Sequence, residues 1–118
     1  MMQHTPLVRN ADFSRAYHRG KNLVHAHVVV YINKNRVKHT RVGITASKKV
    51  GNAVVRNRAR RVIRHALAAV LPLDAGGYDF VFVARGQTPR IKSWQLEKTL
   101  RALLQKADIQ VLPPEQEQ

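Results

Sequence analysis

Seven cations, Lys48, Lys49, Arg56, Arg58, Arg60, Arg61 and Arg64, fall within residues 47–67, and no Asp or Glu stands among them. Ammonium and guanidinium groups at that density suit one chemistry above others, the pairing with phosphate oxygens. A solvated helix usually mixes signs, because Glu four residues ahead of Lys or Arg stabilises it by a few tenths of a kcal/mol and like charges at that spacing cost as much. Arg56, Arg60 and Arg64 follow one another at that spacing, so the run carries a repulsion that a polyanion relieves.

A second group is aromatic. Phe13, Ala16 and Tyr17 share one helical face at i, i+3 and i+4, a spacing that by itself reads as core packing. Tyr31 falls on a strand face with Leu23, His25, His27 and Val29. That mixture of rings, polar tips and aliphatics resembles a shallow binding surface more than a packed core. A short helix carrying the first two rings can cover only part of such a face, which joins Tyr31 to Phe13 and Tyr17.

Bond-breaking chemistry lacks its parts. A protein nuclease needs carboxylates that hold metal, or a His paired with a second acid or base. The chain has seven acidic residues and none lies in the basic region. Asp12 stands alone in the first turn of a helix, where the helix dipole accounts for it. His25 and His27 lie two apart on one strand face and could begin a metal site, but no third ligand accompanies them. No Gly-rich phosphate loop is present. The chain thus offers binding chemistry, with no catalytic residues and no bound metal of its own.

Three helices and a few strands must position these groups. Asn52 is a good N-cap for the main basic helix, since its side-chain oxygen can accept an amide proton that the first turn leaves unpaired. At about 100° per residue, Val55, Ala59, Val62, Ile63, Ala66 and Val70 form one apolar sector, with Asn57, Arg60, Arg61 and Arg64 opposite and Arg56 and Arg58 on the flanks. Leu71-Pro72 ends this helix. Asn10 is expected to cap a short helix through Arg19, closed by a left-handed Gly20. Ser93 is expected to cap a last helix with Leu96, Leu100, Leu103 and Leu104 on one stripe.

Residues 21–33 alternate with period two, which predicts one strand with Val24, Ala26, Val28, Val30 and Ile32 facing the core. Residues 33–38 then form a basic hairpin loop, and residues 39–47 a second strand with Val42, Ile44 and Ala46 inward. Gly43, on its other face, leaves a bare spot where a ligand could approach closely. Residues 78–85 are apolar nearly throughout and predict a central strand covered on both faces. Helix, two or three strands, helix, strand, helix is the order of an α/β (α+β) two-layer sandwich.

At 118 residues with a formal charge of +14, the chain is one domain, and residues 14–72 hold fourteen Lys or Arg and no acid. A membrane partner is disfavoured, because no apolar run approaches the ~20 residues of a spanning helix and the basic helix has no Trp or Phe on its apolar face. The absence of cysteine fits a reducing cytoplasm, and the first residues lack the apolar core of a secretory signal. A major-groove DNA module would need a partner helix just upstream of Lys48, where a strand is predicted instead.

Residues 47–64 resemble the RNR signature of the bacterial ribonuclease P protein subunit, approximately S-K-K-x-G-N-A-V-x-R-N-R-x-K/R-R-x-I-R, nearly residue for residue over about twenty positions. A weaker resemblance extends over residues 7–107, leaving 108–118 as an expected flexible tail of a single domain. The resemblance implies a ribosomal-protein-S5-domain-2-like fold with a mixed sheet and a left-handed βαβ crossover through the basic helix, against the usual right-handed preference. It implies a protein subunit that is inactive alone. The catalytic RNA cleaves the 5′ leader from precursor tRNA, using Mg²⁺ held mainly by RNA, without a further protein partner. Lys48, Lys49, Asn52, Arg56, Asn57, Arg58, Arg60, Arg61 and Arg64 would contact RNA, and Phe13, Tyr17 and Tyr31 would line the leader cleft. Tyr17 stands where Phe is commoner, which keeps a stacking ring, and His65 adds a possible phosphate contact. The alternative from another class is a structural or ribosomal RNA-binding protein, which shares the charge and the fold type.

Overall fold

The computed structural model describes residues 3–114; the expectations for the first two and the last four residues lie outside them. The elements are β1 (Thr5–Pro6), α1 (Asn10–Arg19), β2 (Lys21–Val24), β3 (Val28–Lys34), β4 (Arg41–Thr45), α2 (Ala53–Val70), β5 (Tyr78–Ala84), a 3-10 turn (Thr88–Arg90) and α3 (Ser93–Lys106). The strands form one sheet in the order β1-β4-β5-β3-β2, with β4 parallel to β1 and β5, and β3 antiparallel to β5 and β2. The mixed sheet and three helices are the α+β fold expected.

Side-chain alternation gives the sheet two different faces. Val28, Val30, Ile32, Val42, Phe80, Phe82 and Ala84 point to the face covered by α2 and α3, where Ala59, Ile63, Ala66, Leu67, Val70, Leu96, Leu100 and Leu104 complete the core. Leu67 belongs to this seam although the predicted stripe omitted it. The opposite face carries a small cluster only, with Leu7, Ala16 and Val81 buried and Phe13, Tyr31 and Val83 partly so. There α1 lies across the strands, with Asp12 over Arg41 of β4 and Gly20 beside Ile32 of β3.

Several boundaries differ from expectation, each for a local reason. The run at 21–33 is two strands: His25 N–H donates to Val28 O (3.0 Å) and Val28 N–H to His25 O (3.3 Å), closing a tight hairpin. No Gly, Pro, Asn or Asp marks this turn, so the alternation concealed it. The turn changes what lies in register: Leu23 opposes Val30 and packs on the core, while Val24 opposes Val29 and is exposed. Residues 35–40 are not a hairpin loop, because β5 inserts between β3 and β4.

Asn52 does cap α2, accepting from Val55 N–H at 3.0 Å. Asn10 and Ser93, by contrast, are the first helical residues of α1 and α3, preceded by Arg9 and Lys92. Gln95 reaches back at α3 to accept from Lys92 N–H (2.8 Å). Gly20 is extended rather than left-handed; what excludes a side chain there is space, since a Cβ would meet Ala16 O at 2.4 Å.

Packing continues past residue 107, so the residues just beyond it are not a free tail. Ile109 is buried, and Leu112 N–H donates to Val70 O at 2.7 Å. At the other end of the chain the His4 ring bonds Leu71 O at 2.8 Å. Both flanking segments therefore fasten to the C-terminal end of α2.

Candidate nucleic-acid interface

Three rows of side chains run across β3, β5 and β4 on the α1 face, fixed by the strand register. The first is Asn33–Asp79–Arg41, the second Tyr31–Val81–Gly43 and the third Val29–Val83–Thr45. Rows on one face are about 7 Å apart, two residues along the strand.

The first row is polar. Arg41 donates from Nε to Asp79 Oδ1 and from Nη2 to Asp79 Oδ2, both at 2.8 Å, a two-pronged guanidinium–carboxylate pair. Its Nη1 also lies 3.4 Å from Asp12 Oδ2 of α1, whose other oxygen pairs with Arg15. These hydrogen bonds and charges raise the Arg41 pKa further above its ordinary value. Asn35 Nδ2 adds a bond to Asp79 Oδ1 at 2.9 Å. Asp12 is therefore a buried ion-pair partner, and the helix dipole alone does not account for it.

The second row holds the rings. Tyr17 of α1 meets Tyr31 edge to face with centroids 5.0 Å apart. Phe13 lies 6.5 Å from Tyr17 and fills the space above Gly43, where a Cβ would come within 2.5 Å of its Cε1. The bare spot at Gly43 is thus occupied by this protein's own ring. Phe13 packs behind the tyrosines and is not among the side chains lining the cleft.

The third row is open. Its Val83 and Thr45 help line a cleft of about 500 Å³, together with Tyr17, Tyr31, Ile44, Ala46, Ser47 and Arg60. Arg60 of α2 reaches this cleft from around the end of β4. Sequence periodicity places it only on the face away from the core, with no sign of its proximity to Tyr17. Asn57, one turn earlier, accepts a hydrogen bond from Arg60 Nη1 at 3.0 Å and so orients it. The signal that could have located Arg60 is its distance from the Asn52 cap, two turns along the helix that leaves β4.

The strand directions bring further cations to the same end of the sheet. The C-terminal ends of β4 and β5 and the N-terminal end of β3 lie together. Residues 47–52, 85–90 and 25–27 emerge there side by side. Lys48, Lys49, Arg58, Arg61 and Arg64 are exposed and Arg56 is half-buried. Among the described residues the ion pairs involve Arg15 and Arg41 and none of these cations. The start of α2 adds the positive end of its dipole to the group.

His25 and His27 face each other with ring centroids 4.6 Å apart. His27 Nδ1 lies 2.9 Å from Thr99 Oγ1, and its backbone N–H donates to His25 Nδ1 at 3.0 Å. Burial and then the His25 charge lower the His27 pKa from its ordinary 6.5. Among the described residues no group of three His, Asp or Glu that could hold a metal comes together, and no helix is long and apolar enough to cross a membrane.

Comparison with known proteins identifies the family. The family model described as Ribonuclease P matches residues 1–108. The ribonuclease P protein component of Clostridioides difficile is 38% identical over 108 residues, covering 89% of this chain and 93% of its own. Among solved structures, the Staphylococcus aureus RNase P protein superposes with a TM-score of 0.74 at 30% identity, covering 91% of this chain and 98% of its own. The Thermotoga maritima RNase P protein gives 0.71 at 27% identity, covering 87% and 97%. With its signature helix capped at Asn52 and its tyrosine cleft beside that helix, the chain belongs to the ribonuclease P protein family.

Proposed function

We infer that this chain is the protein subunit of ribonuclease P. It binds the catalytic RNA through the cationic end of the sheet and the 5′ leader of precursor tRNA through the tyrosine cleft. The observation that carries the reading is the continuity of the two surfaces: Arg60 belongs to the acid-free helix and also lines the cleft with Tyr17 and Tyr31. Lys48, Lys49, Asn52, Arg56, Asn57, Arg58, Arg61 and Arg64 supply phosphate contacts and polar partners around it, while Phe13 seats α1.

Rings that present a face or an edge suit unpaired bases, and stacking contributes roughly 1–3 kcal/mol per base. A single-stranded leader is the part of precursor tRNA that offers such bases. In this reading hydrolysis is assigned to the RNA. Mg²⁺ held mainly by that RNA supplies the activation of water. The protein's part is to hold the leader and neutralise phosphates near it, working in the cytoplasm and without a further protein partner.

Reconstitution tests this reading. Added to a bacterial ribonuclease P RNA, the protein should allow cleavage of precursor tRNA at Mg²⁺ concentrations where the RNA alone is slow. The RNA-free protein should cleave nothing. Cleavage by the protein alone, or no gain at low Mg²⁺, would overturn it. A purely structural RNA-binding protein predicts tight RNA binding with no such gain.

A further inference from the structure

Asp12 and Ala16 are the buried residues of α1, so one of the two buried side chains of this helix is a carboxylate. Asp79 beneath it is buried as well. Burying a carboxylate is unfavourable unless its charge and lone pairs are met. Both meet the same guanidinium, that of Arg41. In a chain with seven acids and twenty-one Lys and Arg, two of the acids are spent on this one place.

The position of the group explains the expense. Along α1, Asp12 and Ala16 lie on one flank, whereas Phe13 and Tyr17 lie on the next, about 100° round the helix. The Asp12 flank faces the Asn33–Asp79–Arg41 row and the Tyr17 flank faces the cleft. Apolar contact beneath α1 is confined to Leu7, Ala16 and Val81 with three partly buried neighbours, a seat too small to fix the helix's roll about its axis. Dispersion and apolar burial are non-directional, but a two-pronged guanidinium pair is directional.

We propose that Asp12, Arg41 and Asp79 form a clamp that fixes the roll of α1 across the sheet and with it the width of the tyrosine cleft, making Arg41 a positioning residue for the single-stranded leader. The proposal rests on the assignment of the cleft to the leader. Arg41 and Asp12 do not line the cleft; they act through Tyr17, whose edge-to-face contact with Tyr31 defines one wall. Released, α1 can turn on its apolar seat, and displacement of a positioning group by about 1 Å is enough to lose much of its effect.

The test uses holoenzyme reconstituted with Asp12→Asn, Arg41→Lys or Tyr17→Ala protein, and precursor tRNA with a leader of either several nucleotides or one. Asp12→Asn keeps the side-chain shape and removes the charge; Arg41→Lys keeps the charge and removes the fork. Each should weaken binding of the long-leader substrate roughly ten-fold and of the short-leader substrate less than about two-fold. Amide hydrogen exchange in the free protein should quicken in α1 and stay unchanged in α2. Equal losses on both substrates, or an unaltered α1 exchange rate, would make the cluster a fold-stabilising ion pair and end the proposal. If Tyr17→Ala removes the long-leader advantage while both clamp variants keep it, the clamp fails alone. If Tyr17→Ala also keeps it, the cleft assignment fails and takes the clamp with it. Should Arg41→Lys not fold, the Asp12→Asn result decides.

Discussion

Replacing Gly43 by Ala should destabilise the protein through one identifiable collision. An added Cβ would stand 2.5 Å from Phe13 Cε1 and 2.6 Å from Cζ, whereas carbon atoms rest about 3.5–4.0 Å apart. The ring must therefore retreat by about 1 Å. Behind it stand Leu7, Ala16 and Val81, so retreat means lifting α1. Gly43 has no left-handed φ, and Ala brings no backbone strain of its own. Overpacking of this kind costs about 1–3 kcal/mol. Urea unfolding of the wild type, Gly43→Ala, Phe13→Leu and the double variant measures the collision as a coupling. Phe13→Leu alone should cost about 1 kcal/mol, yet in the Gly43→Ala background the smaller side chain removes the clash. The double variant should be more stable than the sum of single losses by about 1 kcal/mol or more. Additivity within about 0.5 kcal/mol, or an undiminished Gly43→Ala protein, would refute the packing of Phe13 on Gly43.

Changing Tyr31 to Ala should weaken holoenzyme binding to a long-leader precursor by roughly 1–3 kcal/mol and leave affinity for the catalytic RNA nearly intact, as titrations of each RNA would show. Arg64→Ala should lower catalytic-RNA affinity and reduce the slope of log K against log salt by about 1, with no dependence on leader length. Arg60→Ala, because that side chain lines the cleft, should do both. Folding stability should carry a His27 contribution that is complete above 6.5, the ordinary pKa. It should be lost as pH falls from there through the lower folded-state value, because the unfolded chain then binds more protons. Thermal melts across that range should flatten in His27→Gln.

The signature helix was legible because its information is local. A cap, an apolar stripe and a run of cations are all set by residues within two or three turns, and Asn52, Ala59 and Ile63 stand as that pattern requires. Apart from β2, where Leu23 and not Val24 turns to the core, the strands were legible in face but not in partner. Nothing in residues 28–45 records that β5 will come between β3 and β4, since that pairing joins segments far apart in the chain. The hairpin at His25 was hidden by a His that accepts the hydrogen bond an Asn or Asp commonly takes in a turn. Thr5–Pro6, only two residues long and containing a proline, gave no periodicity to detect. In the interface, Tyr17 and Tyr31 were found by type. Their relation to Arg60 depends on how far α2 overhangs the end of β4, and the role of Asp12 depends on Arg41 and Asp79, both of which the sequence sets at a distance.

The fastening of His4 to Leu71 O and of Leu112 to Val70 O has a practical meaning for how the molecule can be handled. Both attachment points lie at the far end of an eighteen-residue helix, about 27 Å along its axis from the Asn52 end. A tether, dye or affinity handle joined beyond either point begins on the side remote from the lysines and tyrosines. Molecules immobilised through a residue beside either attachment point would stand with the cationic end of the sheet outward in a common orientation, as surface-based and single-molecule measurements require. A label placed beside His4 and a second beside Leu112 would sit close together and report fraying of these two straps, independently of events in the cleft.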